Sequence, residues 1–392
     1  MKNKLLLSTA LVSGLAFTGI ANAQTSITGN LDLSYKSIGN EGVRTNSTNK
    51  GNQNDSTFGR ESQINIQNKG KLSNGIDYAA GFSLEFDGVS NGQNTVNTTA
   101  QAGSANTSTV TRIANENVFI DLIFGTTTLS VGADHLNNMS FSAAPRVAQH
   151  MGTTLGGALI DVDANGFTTA QAAGVGGGVA YRFYAGVAAS LGASGSMGLG
   201  IQQATPVGTI TAQYFPKTGV VGGNDQIARN TAKSAYELHY RGDLGVKGLT
   251  ATLGYNVIEG NAATGAAGSN DQKGKAIGVA YNFGQISAGV HRNYFDNGGN
   301  STATTQVDTK SDEIGVTYAA TKEISLGLTH VETSGKYFTA ADMPTKEKAD
   351  SITIGYNLGA INTSLTYSEL SDARGIAGDD AKIALARAGV KF

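Results

Sequence analysis

The sequence predicts an all-β fold: a transmembrane antiparallel β-barrel of about 16 strands, with short turns at one end and long loops at the other. Three observations carry this. Apolar and polar residues alternate over segments of about 9–13 residues, the length of a tilted membrane-crossing strand and longer than the ~5–6 residues usual in soluble sheets. Tight turns alternate along the chain with long tracts of Asn, Gly, Thr, Ser and Asp. The 392 residues include 53 Gly and only 15% charged residues, yet there is no long apolar run. A sheet with one face in lipid and one in water has this composition.

The elements follow in order. Lys2 and Lys4 precede an apolar stretch from Leu5 to Ile20 that ends at Ala21-Asn22-Ala23. This is a secretory signal peptide with an A-x-A cleavage site, so residues 1–23 are set apart from the fold and 24–392 form one barrel domain. In the first strand, near 25–37, Ile27, Gly29, Leu31, Leu33 and Tyr35 share one face. Pairs of strands follow near 61–86, 115–132, within 177–216, then near 234–258, 274–294, 312–332 and 351–369, with a last strand at 381–392. The stretch 177–216 is the least patterned. Its 34 uncharged residues from Phe183 to Pro216 suggest a spanning helix, but Gln202, Gln203, Pro206 and repeated Gly argue against one. Two hairpins echo each other: Tyr281-Asn282-Phe283-Gly284 and Tyr356-Asn357-Leu358-Gly359. The polar tracts at 38–57, 87–111, 133–176, 217–232, 259–273, 295–311, 333–349 and 371–380 are read as eight outer loops. Tyr35, Phe124, Tyr281, Phe283, Tyr318, Tyr356 and Tyr367 fall near strand ends, where aromatic girdles meet the membrane interfaces.

Charge and residue usage exclude several functions. The formal net charge is −2, and about −4 once Lys2 and Lys4 are removed, so phosphate-driven nucleic-acid binding is excluded. With no Cys there is no disulfide, thiolate metal site or Cys nucleophile. His135, His150, His239, His291 and His330 are scattered, and solvation in a lumen or loop accounts for them better than catalysis does. No enzymatic constellation is expected, and no cofactor. Asp161-Val162-Asp163-Ala164-Asn165-Gly166 matches the first half of a calcium loop, but Ala172 stands where a bidentate Glu is required. The segment reads as an Asx-rich turn that takes up Ca²⁺ only opportunistically.

Parity assigns the inward charges. Asp32 and Lys36 lie opposite the apolar face of the first strand; Arg182 lies between Tyr181 and Phe183; Glu237, His239 and Arg241 alternate with Tyr236, Leu238 and Tyr240. With Phe392 outward, Arg387 and Lys391 face in, as do Asp77, Glu85 and Asp121. Arg60 and Arg112 fall on the outward parity, so the strands are expected to have ended before them. Opposed rows of charge at a narrowing are how pores select ions.

The signal peptide ending Ala21-Asn22-Ala23, the opening Ser26-Ile27-Thr28-Gly29-Asn30-Leu31-Asp32 and the terminal Ala388-Gly389-Val390-Lys391-Phe392 resemble those of the general Gram-negative porins. The resemblance spans the mature chain. It implies an outer-membrane channel for passive diffusion of ions and small hydrophilic solutes, built as a homotrimer of 16-stranded barrels. It also implies that the third outer loop, here 133–176, folds into the lumen, placing Asp161 and Asp163 at the constriction and leaving Lys36, Asp32, Arg182, Glu237, Arg241 and Arg387 on the wall. Phe392 resembles the signal read by the barrel-assembly machinery. Outer-membrane lipid and lipopolysaccharide are the surroundings the family implies. The chain departs from enterobacterial members in lacking their Pro-Glu-Phe-Gly loop motif. The alternative is a receptor or adhesin barrel that binds a partner through its long loops.

Overall fold

A computed structural model describes residues 23–40, 56–89, 114–132, 197–216, 232–260, 271–296, 306–337, 346–372 and 380–392. They form sixteen strands: β1 (Gln24–Asn40), β2 (Ser56–Lys71), β3 (Asp77–Val89), β4 (Ala114–Phe124), β5 (Thr127–Gly132), β6 (Gly198–Thr205), β7 (Gly208–Phe215) and β8 (Ala232–Gly242), followed by β9 (Leu249–Gly260), β10 (Gln272–Phe283), β11 (Ile286–Asp296), β12 (Gln306–Ala319), β13 (Ile324–Tyr337), β14 (Glu347–Asn357), β15 (Ile361–Ser371) and β16 (Ala381–Lys391). Each strand pairs antiparallel with its neighbours in the chain, and β1 also pairs with β16, so the sheet closes into a barrel. Closure leaves no edge, which lets a sheet cross hydrocarbon with every backbone group paired. Residues 1–22 of the expected signal peptide, the tract 133–176 and Arg182 fall outside the described residues.

Alternation sets the two faces. On β8, Leu238 is 56% exposed while its neighbour Glu237 is 2% exposed. The outward positions carry Leu253, Ile277, Val290, Ile314, Leu328, Ile352 and Leu365, all exposed, with no apolar partner layer. In water this would be an aggregating surface; in lipid it is the solvated face. Phe124, Tyr281, Phe283, Tyr318 and Tyr356 ring the turn end of the outer face, and Tyr35, Tyr214, Tyr236, Tyr255, Tyr294 and Tyr367 lie toward the loop end. These are the two girdles. A concrete consequence follows. Leu328→Arg, in the apolar band of β13, is expected to cost about 2–4 kcal/mol of barrel stability. Thr329→Arg, one residue on and facing in, escapes that lipid penalty. Urea unfolding in vesicles measures both; equal losses would contradict the face assignment.

The echoing hairpins have a physical cause. Gly284 and Gly359 hold φ of 78° and 83°, left-handed values that a side chain disfavours. The Asn357 side-chain oxygen accepts the Gly359 N–H at 2.8 Å, closing an Asx turn. One irregularity interrupts the ladders of β3 and β4: the register shifts between Gly81 and Ser83, opposite Asn117, whose φ is 51°. The Asn117 side chain donates to Ser83 Oγ at 2.9 Å and thereby fills the bulge it creates.

Strand order and the paired turns match the expectation, including the two strands in the poorly patterned 177–216 region. The ladders run further than expected. β1 continues to Asn40, β2 starts at Ser56, β12 at Gln306, and β13 continues to Tyr337. Beyond the lipid both faces meet water, so alternation fades while backbone pairing continues. Arg60 is therefore corrected: it lies within β2, in register with Leu33 and Gly88, and the strand has not ended there.

Candidate functional site: the inner wall

The inward positions are mostly polar, with Phe119, Phe215, Val331, Ile383 and Leu385 as apolar exceptions. On β12 to β15 the wall is a lattice of hydroxyls. Ser311 and Thr333 lie 2.8 Å apart, Ser351 and Ser368 2.8 Å, and Thr353 and Thr366 3.0 Å. Each pair sits directly opposite in register, so the short side chains reach each other across the strands. On β4 and β5, Ser130 donates to Asp121 at 2.5 Å. Among the described residues no cluster of His, Cys, Asp and Glu is placed to hold a metal ion.

The charged wall residues divide clearly. Asp32 and Arg387, 355 residues apart in sequence, form a bidentate pair across the seam where β16 meets β1: Nε donates to Oδ1 at 3.3 Å and Nη2 to Oδ2 at 2.5 Å. Their side chains are 19% and 8% exposed. Gly389 lies opposite Asp32 in register, and the missing side chain leaves room for Arg387, two residues earlier, to reach diagonally across. Glu237 and His239 both face in from β8, with His239 Nδ1 3.1 Å from Glu237 Oε1. Arg241 is on the same face, at the turn end of that strand, and is exposed. Lys36 belongs to β1 and pairs through its backbone with Leu385 and Thr57; its side chain lies outside the described residues, as do Asp161, Asp163 and Arg182. Lys391 also follows the inward parity, and Asp77 pairs with Lys71 at 2.7 Å beside the turn between β2 and β3.

Phe392 closes the seam. Its N–H donates to the Gly29 carbonyl at 3.0 Å, and its carbonyl accepts the Gly29 N–H at 2.7 Å. The ring lies over the outer surface of Gly29, so that a Cβ built there would be 2.6 Å from ring carbons. Gly29 is therefore covered by the ring and is not an open part of the outer surface.

The sequence reading missed two features. It weighed charges and passed over the hydroxyl lattice, although Ser351, Thr353, Thr366 and Ser368 alternate visibly. It also placed His330 in a lumen or loop, whereas His330 faces outward and its Nδ1 lies 2.7 Å from Asp350 Oδ1. Parity with Leu328 was the available signal.

A sixteen-stranded closed barrel with an apolar outer belt and a polar wall is a bacterial outer-membrane β-barrel. Comparison across protein families matches residues 8–391 to the Gram-negative porins. The chain belongs to that family, and it is a multi-pass outer-membrane channel. Comparison with curated proteins returned no match. Among solved structures, the chain is similar to an anion-selective porin from Comamonas acidovorans, at 14% identity and TM-score 0.57, over 95% of this chain and 100% of that one. It is also similar to Salmonella typhi OmpF in complex with daunomycin, at 13% identity and TM-score 0.58, over 94% and 97%. A porin mutant from Rh. blastica matches at 14% identity and TM-score 0.50, over 94% and 100%. At these identities the likeness is one of fold.

Proposed function

We propose that the channel carries ions and small hydrophilic solutes by passive diffusion, with weak cation preference. The observation that carries this is the inner wall: it is lined with hydroxyls and with charges of both signs, and polar walls conduct hydrated solutes without binding them tightly. Mixed signs keep the preference modest, and the mature charge of about −4 gives its direction. Asp161 and Asp163, in an inward third loop, are proposed as the constriction charges, with Lys36, Asp32, Arg182, Glu237, Arg241 and Arg387 along the wall. Replacing Asp161 and Asp163 by Asn is expected to shift the reversal potential in a KCl gradient toward anions, most strongly at low salt, where exposed charges are least screened. An unchanged reversal potential would place these carboxylates outside the conduction path.

The assembly is proposed as a homotrimer. The outward Ala384, Ala386 and Ala388 of β16 offer small side chains for close barrel–barrel packing. The barrel-assembly machinery, reading Phe392, and lipopolysaccharide are the remaining proposed partners. Ca²⁺ at 161–166 is at most an opportunistic occupant.

A further inference from the structure

The outer surface of the barrel is not uniform. On β6 to β9 the outward residues toward the loop end are mostly apolar or aromatic, Leu199, Tyr214, Tyr236 and Tyr255, with Ser234 hydrogen-bonded to Glu259 beyond them. From β10 to β16 the outward face at that end is charged instead. Arg292 on β11 makes a bidentate pair with Asp312 on β12, its Nη2 donating at 2.9 Å, and Lys310 stands 3.4 Å from the same carboxylate. His330 pairs with Asp350, and Lys346 with Glu332 at 2.5 Å. Glu369 on β15 accepts the Tyr367 hydroxyl at 2.9 Å, and Lys382 of β16 is opposite it in register.

Within this belt the carboxylates already have partners, whereas Lys275 makes no ion pair among the described residues. Lys275 lies outward on β10, directly between Tyr255 of β9 and Tyr294 of β11. Immediately toward the turn end, Leu238, Leu253, Ile277 and Ile210 floor an open groove of about 570 Å³, with Lys275, Tyr255 and Tyr294 at its edge. An apolar trough capped by one ammonium and two phenol hydroxyls is complementary to a single kind of molecule: an acyl chain joined to an anionic headgroup. A second copy of the chain fits less well. The groove on β8 to β11 lies five or more strands round the barrel from β16, on which barrel–barrel packing is proposed. The bulky aliphatic residues here also contrast with the Ala row on β16.

We infer that the groove on β8 to β11 seats a net-anionic lipid, its acyl chain along Leu253 and Ile277 and its phosphate on Lys275. This rests on the barrel crossing the membrane with its outer end in a lipid leaflet, and adds a lipid site to the channel.

The chain has no Trp, so Leu253→Trp places a single reporter in the groove. The full-length variant is reconstituted in phosphatidylcholine vesicles with a small fraction of brominated lipid, either phosphatidylglycerol or phosphatidylcholine, and fluorescence quenching is read. The anionic lipid is expected to be favoured about fivefold at the reporter, the factor for one lysine near an anionic headgroup. The preference should disappear in Lys275→Gln and persist in Lys275→Arg. Equal quenching by both lipids, or a preference that survives Lys275→Gln, would overturn the inference. Absence of quenching by either lipid would also overturn it, because protein would then cover the groove. Conductance of the same preparation in planar bilayers tests the channel reading separately and shows that each variant has folded.

Discussion

Deletion of Phe392 is expected to lower the amount of folded barrel in the outer membrane several-fold while leaving the conductance of each assembled channel unchanged. The residue supplies both hydrogen bonds that join the chain terminus to Gly29, at 3.0 and 2.7 Å, and its ring covers this outward position of β1, which has no side chain. A ring packed over a strand glycine restores contacts that the glycine lacks. Phe392 is itself 71% exposed, so the rest of its surface faces lipid. It touches nothing in the lumen. Gly29→Val should act in the same direction from the other side of the contact. Its new side chain would meet the ring at 2.6 Å and the Gln63 carbonyl at 2.9 Å, so the ring must leave its seat. Heat-modifiable migration of membrane fractions on gels measures the folded amount. Wild-type levels in the deletion would show that the seam closes without the terminal residue.

The second large effect is expected at the charge pair across the same seam. Arg387→Ala leaves Asp32 in a site where its carboxylate is mostly covered, removing two charge-assisted hydrogen bonds worth about 1.5–3 kcal/mol. Arg387→Glu should cost more, because it sets two carboxylates against each other. Combining Asp32→Asn with Arg387→Leu should recover part of the loss, since neither partner is then a stranded charge. Urea unfolding of the reconstituted barrel reads these differences. If Arg387→Ala unfolds at the wild-type midpoint, water already screens the pair and it contributes nothing to closure.

How much of this was legible beforehand depends on the kind of contact. Alternation in β8 assigned Glu237, His239 and Arg241 to the lumen, because period two survives wherever one face meets lipid and the other water. The same signal fades at the loop ends, where both faces are wet, so β2 and β12 were read as starting too late and Arg60 as lying beyond its strand. The inward orientation of Asp32 and Arg387 was readable from parity, but their pairing was not. It depends on the register of β16 against β1 and on the space at Gly389, and neither is local in sequence. The outward pairs of Asp312 and of His330 needed the register, because each partner stands on a neighbouring strand, Arg292 on β11 and Asp350 on β14.

An open, water-conducting barrel is tested most directly by single-channel recording. The purified full-length protein, added to a planar lipid bilayer in KCl, should insert in discrete upward steps of conductance that rise with salt concentration and stay open at low voltage. Conductance that remains near zero, and steps up only after residues 133–176 are deleted, would contradict the account and make the chain a plugged barrel of the receptor kind.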